Sequence, residues 1–306
     1  MNRRFRKGFL EISLSLVFLT IGVLGSSIQA SQTGQQSRPQ PPPLTVEQVK
    51  GNIYQVKGGS GANTGFFIGE KEVLVIDAKM SEESSRQEMA EIQKLTPLPI
   101  SFIILTHSDG DHVNGLNGFP PGTTIISHED TRKYMAEAFK APNFQALSAY
   151  LPDLTFSNQM TLYLGNEVIQ ILHFGPAHTS GDAVIYFPAE KVAFLGDLIF
   201  IGRDPLIHKH KNGCFSGALA TLKAILKLDA DTFVHGHGDI ASRADIEALI
   251  QMYEEKQAKI KALIAEGKSL EEIKKIFNVE DRPAQPGRPQ RPSFVEIIYQ
   301  ELTEKK

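Results

Sequence analysis

Apolar and polar positions alternate through the first third of the body in short blocks. Residues 53–56, 65–68 and 73–76 are β-rich runs separated by glycine-containing turns. A polar, helix-favouring stretch follows at 81–95. Residues 100–105 then form an apolar run broken only by Ser101, the pattern of a strand covered on both faces. The scheme recurs: strand over 123–126, helix over 130–139, sheet over 162–172, 183–187 and 192–195, helix over 216–226 and strand over 232–234. The last third is helical. Ile246, Leu249, Ile250 and Tyr253 recur at helical spacing, Ser269 and Glu272 form a capping box, and a final helix spans about 294–304. The chain has no internal repeat. Meandering β followed by β-α units, twice over, predicts an α/β fold of two packed sheets with helices outside.

The flanks divide the chain further. A basic start (Arg3, Arg4, Arg6, Lys7), an apolar run over 12–24 and the small-residue site Ile28-Gln29-Ala30 predict a signal peptide over 1–30. The run is shorter than the roughly 20 residues of a membrane span. Residues 31–43, polar and proline-rich, read as a linker, and 44–306 as one folded domain with a helical C-terminal extension. An exported, periplasmic or secreted protein without stable membrane insertion after signal removal is the expectation.

Charge and cysteine content narrow the chemistry. Removing the +3 of the first thirty residues from the net −3 leaves a body of −6. Without a basic stripe there is no electrostatic reason to expect nucleic acid as partner. Oligomeric state is not legible. Cys214 is the only cysteine, so no internal disulfide forms and any metal must be held mainly by His, Asp or Glu.

Such residues cluster. Thr106-His107-Ser108-Asp109-Gly110-Asp111-His112 follows the apolar run 100–105. Carboxylates this close raise each other's pKa, a penalty that a divalent cation removes. Gly175-Pro-Ala-His178-Thr-Ser-Gly-Asp182, Leu195-Gly-Asp197 and His235-Gly-His237 again put a His or Asp soon after an apolar stretch, near glycine.

With Asp77 in Leu74-Val-Ile-Asp77, these motifs resemble, in order, those of the metallo-β-lactamase superfamily, from Leu44 to about Gly238. The resemblance implies an αββα four-layer sandwich of two mixed β-sheets flanked by helices. It also implies two divalent metal ions, zinc first, with iron or manganese as alternatives. His107, Asp109 and His178 would hold one ion, Asp111, His112 and His237 the other, and Asp197 would bridge them. Asp77 would orient a ligand or the loop. A hydroxide held between the ions would attack an ester-like bond of a small-molecule substrate (ester, lactone, thioester, phosphodiester or sulfate ester), with Asp111 or Asp197 as the catalytic residue managing the proton.

One position departs from the pattern. Asp109 stands where histidine is usual, which is expected to make the first site harder and more anionic. That leaves an iron-binding redox protein as an alternative. β-Lactam hydrolysis is the other, disfavoured because many β-lactamases carry Cys or Ser at the place of Asp197. Around the core motifs, the 203–211 segment with His208 and His210 reads as a solvated basic loop, and contact with an anionic substrate is its alternative. His235, His173 and Cys214 read as structural, and His128 as a helix start. Ser180 and Asp182 are expected to tie down the loop after His178.

Overall fold

The computed structural model describes residues 42–280 and 291–304. The expected signal peptide and almost all of the linker lie outside the described residues, as do positions 281–290 of the second proline-rich stretch. Among the described residues no helix is long and apolar enough to cross a membrane.

The first sheet has seven strands in sequential order: β1 (Thr45–Lys50), β2 (Ile53–Lys57), β3 (Thr64–Ile68), β4 (Val73–Ile76), β5 (Ile100–Ile104), β6 (Thr124–His128) and β7 (Leu154–Phe156). β1 to β4 run antiparallel, and β4 to β7 run parallel through helical crossovers α1 (Glu82–Leu95) and α3 (Glu129–Ala138). The second sheet has the order β13-β12-β11-β10-β9-β8, with β8 (Gln159–Leu164), β9 (Glu167–Leu172), β10 (Val184–Phe187), β11 (Val192–Phe194), β12 (Thr232–Val234) and β13 (Ala241–Ser242). Its only parallel pair is β11 with β12, joined through α4 (Phe215–Ile225). Both sheets are mixed, as expected.

Side-chain alternation places the central strands between two layers. In β4, Leu74 and Ile76 face the inter-sheet core with Ile104, Ile171, Ile185 and Phe187, while Val73 and Val75 meet Ile92 of α1 and Met135 of α3. In β10, Ile185 and Phe187 point inward, and Val184 and Tyr186 point to the helices of the second half. Burial on both faces explains why these strands read as unbroken apolar runs.

The C-terminal helices α5 (Arg243–Ala265), α6 (Leu270–Ile276) and α7 (Phe294–Thr303) share one core with the second sheet and α4. Tyr253 is fully buried, its ring 4.9 Å from that of Phe294 and 6.0 Å from that of Phe215. The helical third therefore forms the outer layer of the second sheet. Capping boxes at Ser242 with Asp245 and Ser269 with Glu272 fix the starts of α5 and α6.

Three expectations need correction. β1 and β7 form where the pattern gave no strand. The single stretch expected over 162–172 is a hairpin, turning at Gly165 (φ +62°) and Asn166.

Candidate metal centre

The site gathers at the carboxyl ends of strands from both sheets, where loops leave the core. Asp77 follows β4. His107 and Asp109 follow β5, and the short helix α2 (Gly110–Val113) carries Asp111 and His112. From the second half, His178 lies between β9 and β10, Asp197 follows β11 and His237 follows β12.

Asp77 fixes two histidine rings. Its Oδ1 accepts the Thr106 amide at 2.8 Å, and its Oδ2 accepts the Thr106 hydroxyl at 2.7 Å and lies 2.8 Å from His112 Nδ1. The hydroxyl proton goes to Asp77, so Thr106 Oγ1 accepts from His107 Nδ1, 3.0 Å away. His178 Nδ1 donates to the Leu206 carbonyl at 2.6 Å. All three rings thus carry a proton on Nδ1 and aim Nε2 into the site.

Those Nε2 atoms, with Asp197 Oδ1, are buried and have no hydrogen-bond partner. His107, His112, His178 and Asp197 are each at most 5% exposed. Orphaned buried polar atoms are rare because each loses its hydration uncompensated. Four of them converging is the arrangement a cation satisfies, and the His/Asp donor set suits a divalent metal.

Asp111, His112, Asp197 and His237 form one group whose ligand atoms all lie within 4.8 Å of one another. Asp197 Oδ1 is 3.2 Å from His112 Nε2, Asp197 Oδ2 is 3.3 Å from His237 Nε2, and Asp111 Oδ2 is 3.2 Å from His237 Nε2. His107, His178 and Asp197 form a second group. Asp197 belongs to both, the position expected of a bridge.

Carboxylates and imidazoles this close shift one another's titration. Burial lowers the pKa of His178, but the Asp109 carboxylate 3.4 Å from its Nε2 overrides this and raises it to about 9. Asp111 and Asp197 bonds raise His237 to about 9. Burial raises Asp197, yet the charge of His112 and the closeness of the His112 and His237 rings hold its carboxyl well below the usual range.

Asp109 sits differently from the expectation. Its Oδ2 lies 3.4 Å from His178 Nε2 and 4.0 Å from His107 Nε2, but only 2.6 Å from His208 Nε2. Lys211 Nζ binds Asp109 Oδ1 at 2.7 Å and Ser108 Oγ at 3.0 Å. The ammonium neutralises the carboxylate, so the extra negative charge expected of this site is offset. The solvated-loop reading of 203–211 also fails for its central residue: His208 is 3% exposed. Its burial is invisible in a sequence flanked by Lys209, His210 and Lys211; the one available signal was the missing histidine at 109.

The surrounding loops are tied as their residue types suggest. Asp182 accepts the Thr179 amide and hydroxyl, and Ser180 donates to Asp130. His128 caps α3, and His173 Nδ1 bonds the Asp182 carbonyl. Cys214 precedes α4 with its Sγ 3.4 Å from the Pro176 carbonyl. The open side of the site is formed by Asp111 and His237, whose side chains are 22% and 34% exposed. Phe200 stacks on the His237 ring at 5.7 Å, and the Arg203 guanidinium lies 4.2 Å above Phe200.

Comparison with known proteins agrees with this geometry. A metallo-beta-lactamase type 2 of Elizabethkingia meningoseptica is 26% identical over 254 residues, covering 80% of this chain and 95% of that protein. The 2,4-dinitroanisole O-demethylase subunit alpha of Nocardioides sp. (strain JS1661) is 25% identical over 215 residues. That match covers 70% of this chain but 63% of the demethylase subunit, so the chain spans less than two thirds of that relative's length. A linear primary-alkylsulfatase of Pseudomonas sp. (strain ATCC 19151) is 22% identical over 223 residues, 59% of this chain and 42% of that protein. Among solved structures, a metallo-beta-lactamase from Pontibacter korlensis superposes with a TM-score of 0.59 at 17% identity, covering 69% of this chain and 99% of that one. Residues 58–237, more than half of the chain, match the family itself, and the protein belongs to the metallo-beta-lactamase superfamily.

Proposed function

We propose that the protein is an exported metal-dependent hydrolase that cleaves an ester-like bond of a small molecule. The observation that carries this reading is the convergence of three buried, partnerless histidine Nε2 atoms on the partnerless Asp197 Oδ1. In this reading Asp111, His112 and His237 would hold one ion, His107, His178 and Asp109 the other, and Asp197 would be shared between them. When bound, divalent ions of this kind supply Lewis acidity and bring the pKa of coordinated water to roughly 7.

The protein's own groups supply the rest. Asp77 and Leu206 hold three imidazoles in the tautomer that leaves Nε2 bare. Asp111 Oδ2, on the open side, takes the proton of the attacking water and returns it to the leaving oxygen. Phe200 and Arg203 form a wall that suits a substrate with an apolar body and an anionic end.

Zinc is the favoured metal. The Lys211 ammonium beside Asp109 offsets the anionic character that would favour iron, which weakens the redox alternative. β-Lactam hydrolysis stands second, supported by the Elizabethkingia relative that the chain covers almost whole. The relatives' names also bring sulfate-ester and aryl methyl ether cleavage into range.

Metal analysis of protein purified without added metal, followed by a panel of chromogenic lactam, lactone, thioester, phosphodiester and sulfate substrates with zinc, iron and manganese in turn, tests the reading. Turnover that Asp111→Asn reduces by about 10²–10⁴ is expected. Visible iron absorption with no turnover of any substrate would overturn it.

A further inference from the structure

Asp109 offers an ion only half of its carboxylate. Lys211 occupies Oδ1, and Oδ2 faces His178 Nε2 and His208 Nε2. Where the resemblance calls for an imidazole, the chain presents a single oxygen. A second imidazole nevertheless reaches the same place from another part of the chain. One ligand atom each from Asp109, His178 and His208 lies within 4.8 Å of the other two.

His208 is held there by backbone, independently of any ion. Its amide donates to the His178 carbonyl at 2.8 Å, and its carbonyl accepts the amides of Lys211 at 2.9 Å and Gly213 at 3.0 Å. The Ser180 amide donates to Lys211 O and the Cys214 amide to Ala177 O. Gly213 packs so closely that a Cβ there would stand 2.3 Å from the His178 carbonyl oxygen. The loop carrying His208 is thus stitched to the loop carrying His178, and the two rings lie 4.7 Å apart, edge to face. His178 Nε2, buried and without a hydrogen-bond partner, is shared between this group and the one with His107 and Asp197.

We propose that His208 is a ligand of the first ion, standing beside His178 and Asp109 in place of the histidine missing at position 109. The inference rests on the metal-dependent reading of the cluster. It makes Lys211 a device that turns Asp109 into a donor of one oxygen, and it gives the first ion imidazoles from three separate segments.

The test compares wild type with His208→Gln, which keeps a donor for Asp109 but is a poor ligand, and with Lys209→Ala as a control on the same loop. Zinc stoichiometry, zinc affinity and the visible spectrum of the cobalt-loaded protein are measured on each. The expected result is two equivalents in wild type and Lys209→Ala, and loss of one, or at least tenfold weaker binding of it with an altered cobalt spectrum, in His208→Gln. Two ions, unchanged affinity and an unchanged spectrum in His208→Gln overturn the inference while leaving the hydrolase reading intact. A wild type that binds no divalent ion overturns both. Should the variant fail to fold, paramagnetically shifted imidazole signals of cobalt-loaded wild type decide the matter. Signals from His208 alongside those of His107, His112, His178 and His237 support the proposal, and their absence overturns it.

Discussion

Asp77 Oδ2 lies 2.8 Å from His112 Nδ1, and the aspartate backbone that places it there is turned to φ +62°. A non-glycine residue in the left-handed region is uncommon, and Asp and Asn tolerate it best. Asp77 meets three donors at once, from the Thr106 amide, the Thr106 hydroxyl and His112.

Asp77→Asn isolates this role, because asparagine accepts the backbone but turns one of the two acceptor oxygens into a donor. Metal affinity is expected to fall about 10–100-fold with the fold retained. Competition with a chromogenic chelator, checked against circular dichroism, measures it.

Gly236 gives a steric probe of the bridge. A Cβ at this position would stand 2.3 Å from Asp197 Oδ1 and 2.8 Å from His112 Cε1. Gly236→Ala is expected to displace the bridging carboxylate and lower metal content, while destabilising the metal-free protein by about 1–3 kcal/mol. Elemental analysis beside urea unfolding separates the two effects.

Loading should release protons. His178 and His237, both raised to about 9, are protonated at neutral pH when no cation is present. Against its burial, the Asp197 and Asp77 carboxylates also raise His112 well above the usual imidazole range. A ligand Nε2 must be bare, so binding at neutral pH displaces about three protons and apparent affinity falls as pH falls. Calorimetry in buffers of different ionisation enthalpy counts them; no buffer dependence at pH 7 would contradict the expectation.

A second pH effect lies away from the metal groups. Glu88 is fully buried, and its Oε1 accepts the Thr64 hydroxyl. Burial pushes its carboxyl up to about 7, against the opposing charge of Lys79 and the Thr64 bond. A raised carboxyl favours the protonated form in the fold. Its contribution is therefore complete below the unfolded value near 4.5 and is lost as pH rises through about 7. Unfolding curves from pH 4.5 to 8 should show wild type losing stability relative to Glu88→Gln, by no more than about 3 kcal/mol.

What could be read in advance divides along physical lines. β4, β5 and β10 are buried on two faces, so hydrophobicity alone marks them. β1 is an edge strand, mostly exposed and irregular between Gln48 and Lys50, and β7 has three residues; neither carries enough alternation to register. Residues 159–172 kept their β character but hid the turn, because Gly165-Asn166 interrupts the pattern so briefly. At the site, positions with a strand immediately before them were legible by motif. His208 was not, because its burial comes from contacts with the distant 177–180 loop and the residues that follow it, Lys209, His210 and Lys211, are polar.

The division of the site between sheets has its own consequence. His107 to His112 arrive with the first sheet, and His178, Asp197 and His237 with the second, so neither half owns a complete set of donors. An ion seated there would act as a rivet across the seam. It would be captured only once the halves have met and would then resist their separation, so its grip would double as a report that assembly is finished.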